Sequence, residues 1–156
     1  MKSKLICTSL AVLFLCLTAE AGSVHVNSKE PKAHKTLKRS AALAALTKKL
    51  EYDSDRASIR SDYYSNLDQL AETIKNDNYA VALKGHADSV GKYKYNWVLS
   101  DKRALSVKKY LISKGVKEDR IVTTPFGSTV PIASNKTAAG RQKNRRVEVE
   151  LKKITG

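Results

Sequence analysis

Tyr79-Ala80-Val81-Ala82-Leu83-Lys84-Gly85-His86-Ala87-Asp88-Ser89-Val90-Gly91 gives the local reading from which the fold follows. Val81 and Leu83 fall on one side of an extended chain and Ala82 and Lys84 on the other, so residues 79–86 read as a strand with one buried face. Gly85 and Gly91 then bracket a loop that carries an acid, Asp88, at the end of that strand. Residues 95–114 follow at once as a helix whose apolar face is Leu99, Ala104, Val107 and Leu111, stopped at Gly115, where a left-handed residue is wanted.

Upstream, Leu67, Leu70, Ala71 and Ile74 recur at i, i+3, i+4 and i+7 and predict an amphipathic helix over 61–76, closed by Asn76-Asp77-Asn78. Before it, Leu50 and Tyr52 alternate with Glu51 and Asp53 as a short strand. Downstream, residues 120–124 predict a third strand, ending before Pro125. A fourth covers 146–151, with Val147, Val149 and Leu151 inward and Glu148 and Glu150 outward. The order is βαβαββ. Two strand–helix–strand units imply at least one parallel pair and a two-layer α/β sandwich, with both helices packed on one face of a mixed four-stranded sheet.

The 156-residue chain carries 29 Lys plus Arg against 15 Asp plus Glu, a formal charge of +14. One domain with a tail fits that length, and two full enzyme domains do not. Met1-Lys2-Ser3-Lys4, an uncharged apolar run over 5–17 and Ala19-Glu20-Ala21 have the layout of a secretory signal peptide, residues 1–21, cleaved before Gly22. Thirteen apolar residues at about 1.5 Å each are too short for a roughly 30 Å hydrocarbon core. Both cysteines, Cys7 and Cys16, lie inside that leader, so the exported chain has no thiol. Lipidation of Cys16 is the rival reading, disfavoured by the bulky Phe14 and Leu15 before it.

Cleavage removes Lys2, Lys4 and Glu20 from totals of 29 and 15, leaving 27 basic and 14 acidic side chains. Export directs that excess away from nucleic acid and toward periplasmic polyanions such as envelope polymers and lipid headgroups. Residues 22–49 read as a basic tether in which Lys29, Lys32, Lys35, Lys38 and Arg39 face one acid, Glu30. Ser40 offers a cap for a partly helical segment in which Leu43, Leu46 and Leu50 share a face, a stripe suited to anionic lipid. An envelope protein is the other partner such a tether suits. The folded domain spans 50–154.

Three clusters carry the chemistry: residues 85–91; Tyr95-Asn96 with Leu99-Ser100 and Arg103-Ala104; and Gly140-Arg141 with Asn144-Arg145-Arg146. Asn96, Leu99 and Arg103 share one helix face beside Asp88. An acid and a guanidinium on one rim suit a zwitterion, the acid accepting from an ammonium and the guanidinium forking onto a carboxylate. An internal salt bridge between Asp88 and Arg103, with no ligand, is the competing reading. His25 and His34 lie in the tether, which argues against a three-histidine zinc site. His86 with Asp88 remains a weaker metal pair, and Ser89 beside His86 a weaker acyl-transfer pair that no oxyanion hole supports. No enzyme and no cofactor are expected.

Residues 79–151 resemble the OmpA-like (OmpA/MotB C-terminal) peptidoglycan-binding domain. The resemblance rests on Gly85-His86-Ala87-Asp88, Gly91, Tyr95-Asn96, Leu99-Ser100, Arg103-Ala104, Val107, Tyr110-Leu111, Gly115, Gly127, Pro131, Asn135, Thr137, Gly140-Arg141 and Asn144-Arg145-Arg146-Val147-Glu148. It continues more weakly through Asp55-Arg56-Ala57-Ser58-Ile59 and Leu67. It implies noncovalent binding of peptidoglycan through the meso-diaminopimelate of the stem peptide, anchoring an envelope component to the wall. Asp88 would hold the ammonium and Arg103 the carboxylate, while Gly85, His86, Ala87, Asn96, Leu99, Asn144, Arg145 and Arg146 would line or brace the pocket. Two departures stand out: Ala87 where a threonine is common, and Ser54 where an aromatic is usual. A charge-driven membrane or lipopolysaccharide binder, or a scaffold of a secretion or flagellar machine, is the alternative.

Overall fold

The structure, a computed structural model, describes residues 43–47 and 49–154. The expected leader and nearly all of the expected tether, with Ser40, lie outside the described residues.

Four strands form one mixed sheet: β1 (Leu50–Glu51), β2 (Tyr79–Gly85), β3 (Ile121–Pro125) and β4 (Arg146–Lys153), in the order β1-β4-β2-β3. β2 and β3 run parallel, with Val81 opposite Ile121, and β4 is antiparallel to both β2 and β1. The parallel pair needs a crossover, which α2 (Tyr93–Ser113) supplies. Helix α1 (Tyr64–Asn76) makes the earlier connection, from β1 to β2. Short 3-10 turns precede α1 (Ser61–Tyr63) and β3 (Glu118–Arg120).

One apolar core holds the two layers together. Leu67, Leu70, Ala71 and Ile74 of α1 and Ala104, Val107 and Leu111 of α2 meet Val81, Leu83, Val147 and Val149 of the sheet, all of them buried. On the other sheet face Ala82, Lys84 and Glu148 are half-buried and Glu150 is exposed, with Lys84 paired to Glu150 at 2.6 Å. The alternation expected of β2 and β4 is therefore the alternation observed. Helix α2 closes as its sequence demands: Gly115 has φ +85°, and Val116 N–H donates to the Leu111 carbonyl while Gly115 N–H donates to that of Ile112.

The departures are local. Helix α2 starts at Tyr93 rather than Tyr95, because the chain turns at Gly91 (φ +93°) and Lys92 is already its extended N-cap. Pro125 is the last residue of β3, an edge strand in which a missing N–H is tolerated. A short helix, α3 (Ala138–Asn144), sits before β4, so the order is βαβαβαβ rather than βαβαββ. Its N-cap Thr137 accepts from Gly140 N–H at 3.0 Å. Residues 43–46 are helical, yet Leu46 packs against the core and Leu50 is buried in β1. The expected stripe of Leu43, Leu46 and Leu50 is thus not left for lipid, because a two-residue strand needs that apolar cover.

Candidate ligand-binding pocket

At the carboxyl end of β2 the chain leaves the sheet at Gly85. A Cβ there would stand 2.0 Å from the Ser100 carbonyl oxygen, so only glycine lets α2 lie this close to the strand. The loop that follows is held by its own side chains. Asp88 Oδ1 accepts from Val90 N–H at 2.9 Å, and Asn96 Nδ2 donates to the carbonyls of Asp88 (3.1 Å) and Val90 (2.9 Å). Asn96 therefore ties the first turn of α2 to the acidic loop, and it does so from a buried position.

Arg103, two turns further along that helix face, is fully buried. Its Nε donates to the Arg56 carbonyl (2.9 Å), Nη1 to that of His86 (2.9 Å) and Nη2 to that of Asp53 (3.0 Å). The guanidinium also lies over the Tyr52 ring, 5.4 Å from its centroid. Burial lowers its pKa to about 10, still far above neutrality. A guanidinium has five N–H groups, so one on each terminal nitrogen is not used by these three bonds.

These groups enclose a cavity of about 280 Å³ lined by Ser54, Asp55, Ala87, Asp88, Val90, Gly91, Tyr95, Asn96, Leu99, Arg103 and Arg145. Asp88 does not pair with Arg103. Its Oδ2 instead accepts from Arg145 Nη1 at 2.7 Å, and Arg145 is steadied by the Tyr52 carbonyl (3.1 Å) and the Gln142 side chain. Opposite, Asp55 takes a left-handed backbone (φ +56°) and accepts from the Tyr95 hydroxyl, which raises the tyrosine pKa. Two carboxylates and two guanidiniums thus face one small, partly apolar space, in sum neutral.

Of the expected residues, the fold brings Ala87, Asp88, Asn96, Leu99, Arg103 and Arg145 to the cavity wall. Gly85, His86, Asn144 and Arg146 brace it from outside. Asn144 accepts from Ile132 and Ala133 N–H and donates to the Ala133 carbonyl and Asn135, which fixes the 132–135 segment. Asn135 in turn accepts from Ser89 N–H. Arg146 is turned to Glu148 at 2.8 Å, away from the cavity. The His86 ring stacks on Phe126 (centroids 5.1 Å apart), and only its carbonyl reaches Arg103. His86 and Asp88 therefore do not share a face as expected of a metal pair, since the strand pattern ends at Gly85. Among the described residues no group of His, Cys, Asp and Glu could hold a metal ion. Ser54, Asp55, Val90, Gly91 and Tyr95 complete the wall. Tyr95 and Asp55 stood in the motifs quoted above, but nothing in their spacing showed that they meet.

The chain is thus a parallel-crossover α/β domain with a charged pocket where one strand runs into its crossover helix. Residues 51–145 match the OmpA family, and the chain belongs to it. It is 45% identical over 101 residues to outer membrane protein A of Bordetella avium (64% of this chain, 52% of that protein). It is 43% identical over 89 residues to the peptidoglycan-associated lipoprotein of Buchnera aphidicola (56% and 51%). The crystal structure of the peptidoglycan-associated lipoprotein from Burkholderia pseudomallei superposes with a TM-score of 0.66 at 27% identity, covering 71% of this chain and 93% of that one. The chain spans about half the length of the two matched full-length relatives. By name these relatives are an outer membrane protein and peptidoglycan-associated lipoproteins. No described helix is long and apolar enough to cross a membrane.

Proposed function

We propose that this domain binds peptidoglycan noncovalently, gripping the diaminopimelate head of a stem peptide, and so anchors an envelope component to the wall. The observation that carries the reading is the neutral cavity in which Asp88, Arg103 and Arg145 converge. Asp88 takes the ammonium of the guest, with Asp55 across the cavity. The two free N–H groups of Arg103 take its carboxylate, and Leu99 covers the methylene stem. Family membership and the names of the peptidoglycan-associated relatives support the reading. The leader expected from the sequence over 1–21 is in keeping with a periplasmic location.

Charge-assisted hydrogen bonds contribute roughly 1.5–3 kcal/mol each. Because Asp88 must exchange Arg145 for the guest, and ordering costs subtract further, micromolar to millimolar affinity per stem is expected. A dense polymer makes that sufficient.

The test is co-sedimentation of the purified protein with insoluble sacculi at about 0.3 M salt, where nonspecific attraction of a basic chain is screened. Diaminopimelate-type sacculi should pull the parent down and leave Asp88→Ala in the supernatant. Lysine-type sacculi, lacking the second carboxylate, should retain it weakly. Equal pelleting of parent and variant would overturn the assignment, and pelleting that vanishes with salt alone would favour the charge-driven alternative.

A further inference from the structure

The solvent side of α2 carries a surface that the cavity does not use. Tyr93 is 59% exposed and Trp97 40%, with ring centroids 5.9 Å apart. Together with Lys94 and Val98 they line a shallow, mainly apolar depression. Val98, Leu105 and Ile112, each seven residues from the next, extend it as a line along the helix, half-buried at Leu105 and exposed at both ends. Apolar side chains on the face of a helix turned away from its own core mark an interaction site.

The charges around that line are nearly all of one sign, which constrains what covers it. Lys92, Lys94, Lys102 and Lys109 are exposed and form no ion pair among the described residues, while Lys108 is paired to Glu118 at 2.8 Å. Asp101 is the only acid in the helix. A second copy of this chain fits poorly, since two such faces brought together would set lysines against lysines. An anionic phospholipid surface fits on each count. Lysines reach headgroup phosphates, tyrosine and tryptophan sit where the apolar layer meets water, and the aliphatic side chains enter the boundary between them. The formal charge of +14 draws the whole chain toward such a surface.

We propose that the solvent face of α2 docks on an anionic phospholipid membrane. Asn96, Leu99 and Arg103 line the cavity from the opposite side of the same helix. A bilayer under Trp97 and Val98 therefore leaves the cavity uncovered, about one helix diameter away, roughly 10–12 Å. A further consequence rests on the pocket reading above: the domain spans the gap between membrane and wall, with lipid against one face of α2 and a stem peptide at the other.

Trp97 is the chain's single tryptophan, so its emission reports this face and not the basic tether. The full protein is titrated at about 0.1 M salt with phosphatidylethanolamine vesicles, with the same vesicles containing phosphatidylglycerol, and with polyglutamate. Only the phosphatidylglycerol vesicles should shift the emission to the blue. The double variant Lys94→Glu, Lys109→Glu should melt like the parent yet need at least about twentyfold more lipid for half the shift, at roughly fivefold per lysine. Pelleting with vesicles without any shift assigns lipid binding to the tether and overturns the proposal, as does an equal shift with phosphatidylethanolamine alone or with polyglutamate. A shift that follows protein concentration alone, with doubled mass in sedimentation, overturns it in favour of a contact between copies. Adding diaminopimelate-type sacculi tests the bridge separately. The parent should carry phosphatidylglycerol vesicles into the sacculus pellet, and Asp88→Ala should keep the emission shift but leave the vesicles behind. A parent that shows the shift but never pellets with sacculi keeps the membrane face and removes the pocket.

Discussion

Replacing Arg103 tests the architecture more severely than any other single change. Its guanidinium is fully buried and donates to three backbone carbonyls at 2.9–3.0 Å, two of them in the 53–56 segment and one at the end of β2. At roughly 1.5–3 kcal/mol per charge-assisted bond the three would sum to about 4.5–9 kcal/mol. Asp53 and Arg56 lie in an exposed segment, so water re-solvates their carbonyls once it relaxes, and a loss of about 3–5 kcal/mol is expected for Arg103→Ala. For a folded unit of this size that lowers Tm by about 12–20 °C. Arg103→Lys should lose most of the same stability, because one ammonium cannot span three divergent acceptors. Asp88→Asn, which keeps its shape and weakens a single pair, should lose about 1–2 kcal/mol. Thermal and urea unfolding followed by circular dichroism give all three values. An Arg103→Ala protein melting within about 4 °C of the parent would refute the view that this side chain laces the pocket wall to the sheet. A binding defect in Arg103→Ala is accordingly ambiguous, which is why Asp88 carries the functional test.

Gly85→Ala places a methyl 2.0 Å from the Ser100 carbonyl oxygen, so α2 must move off β2; a loss above about 3 kcal/mol, or insoluble protein, is expected in expression and melting trials. Asn144→Ala removes four hydrogen bonds to the 132–135 segment and should destabilise by about 2–4 kcal/mol, with faster amide exchange at Ser89, whose N–H rests on Asn135. Burial lowers the His86 pKa from 6.5 to about 4, and both ring nitrogens lack a hydrogen-bond partner. The unfolded chain therefore binds the extra proton first, so stability falls as pH drops from about 6.5 through 4 and levels off below, a loss of about 3 kcal/mol in all. His86→Phe, stacked on Phe126 in the same way, should flatten that part of the pH–stability curve measured by urea unfolding.

What could be read from the chain was what repeats. Period two showed β2 and β4, the i, i+3, i+4 pattern showed α1 and α2, and Gly115 marked the end of α2, because each of those patterns is a direct image of one buried face. Helix α3 escaped because its seven residues bury Gly140 and Asn144 rather than an apolar stripe, so packing against backbone replaces hydrophobic periodicity. At the site, Asp88, Asn96, Leu99 and Arg103 could be grouped because they lie on one strand end and one helix face. The pairing of Asp88 with Arg145 rather than Arg103 depends on how β4 enters the sheet between β1 and β2, and strand order leaves no local trace. The same holds for Asp55, which reaches Tyr95 only because its backbone turns left-handed.

β1 is only two residues long, and Ser54 and Asp55 in the cavity wall follow it almost at once. Tension from the upstream chain would therefore arrive at the mouth of the cavity after passing a very short stretch of ladder. The next restraint is the knot of Tyr52, Arg103 and Arg145, in which the aromatic hydroxyl and both guanidiniums engage backbone carbonyls. Under the proposed anchoring function, a tug on a tethered cargo would load the groups assigned to the guest, and the strength of the anchor under strain and its grip at rest would be set by the same few side chains.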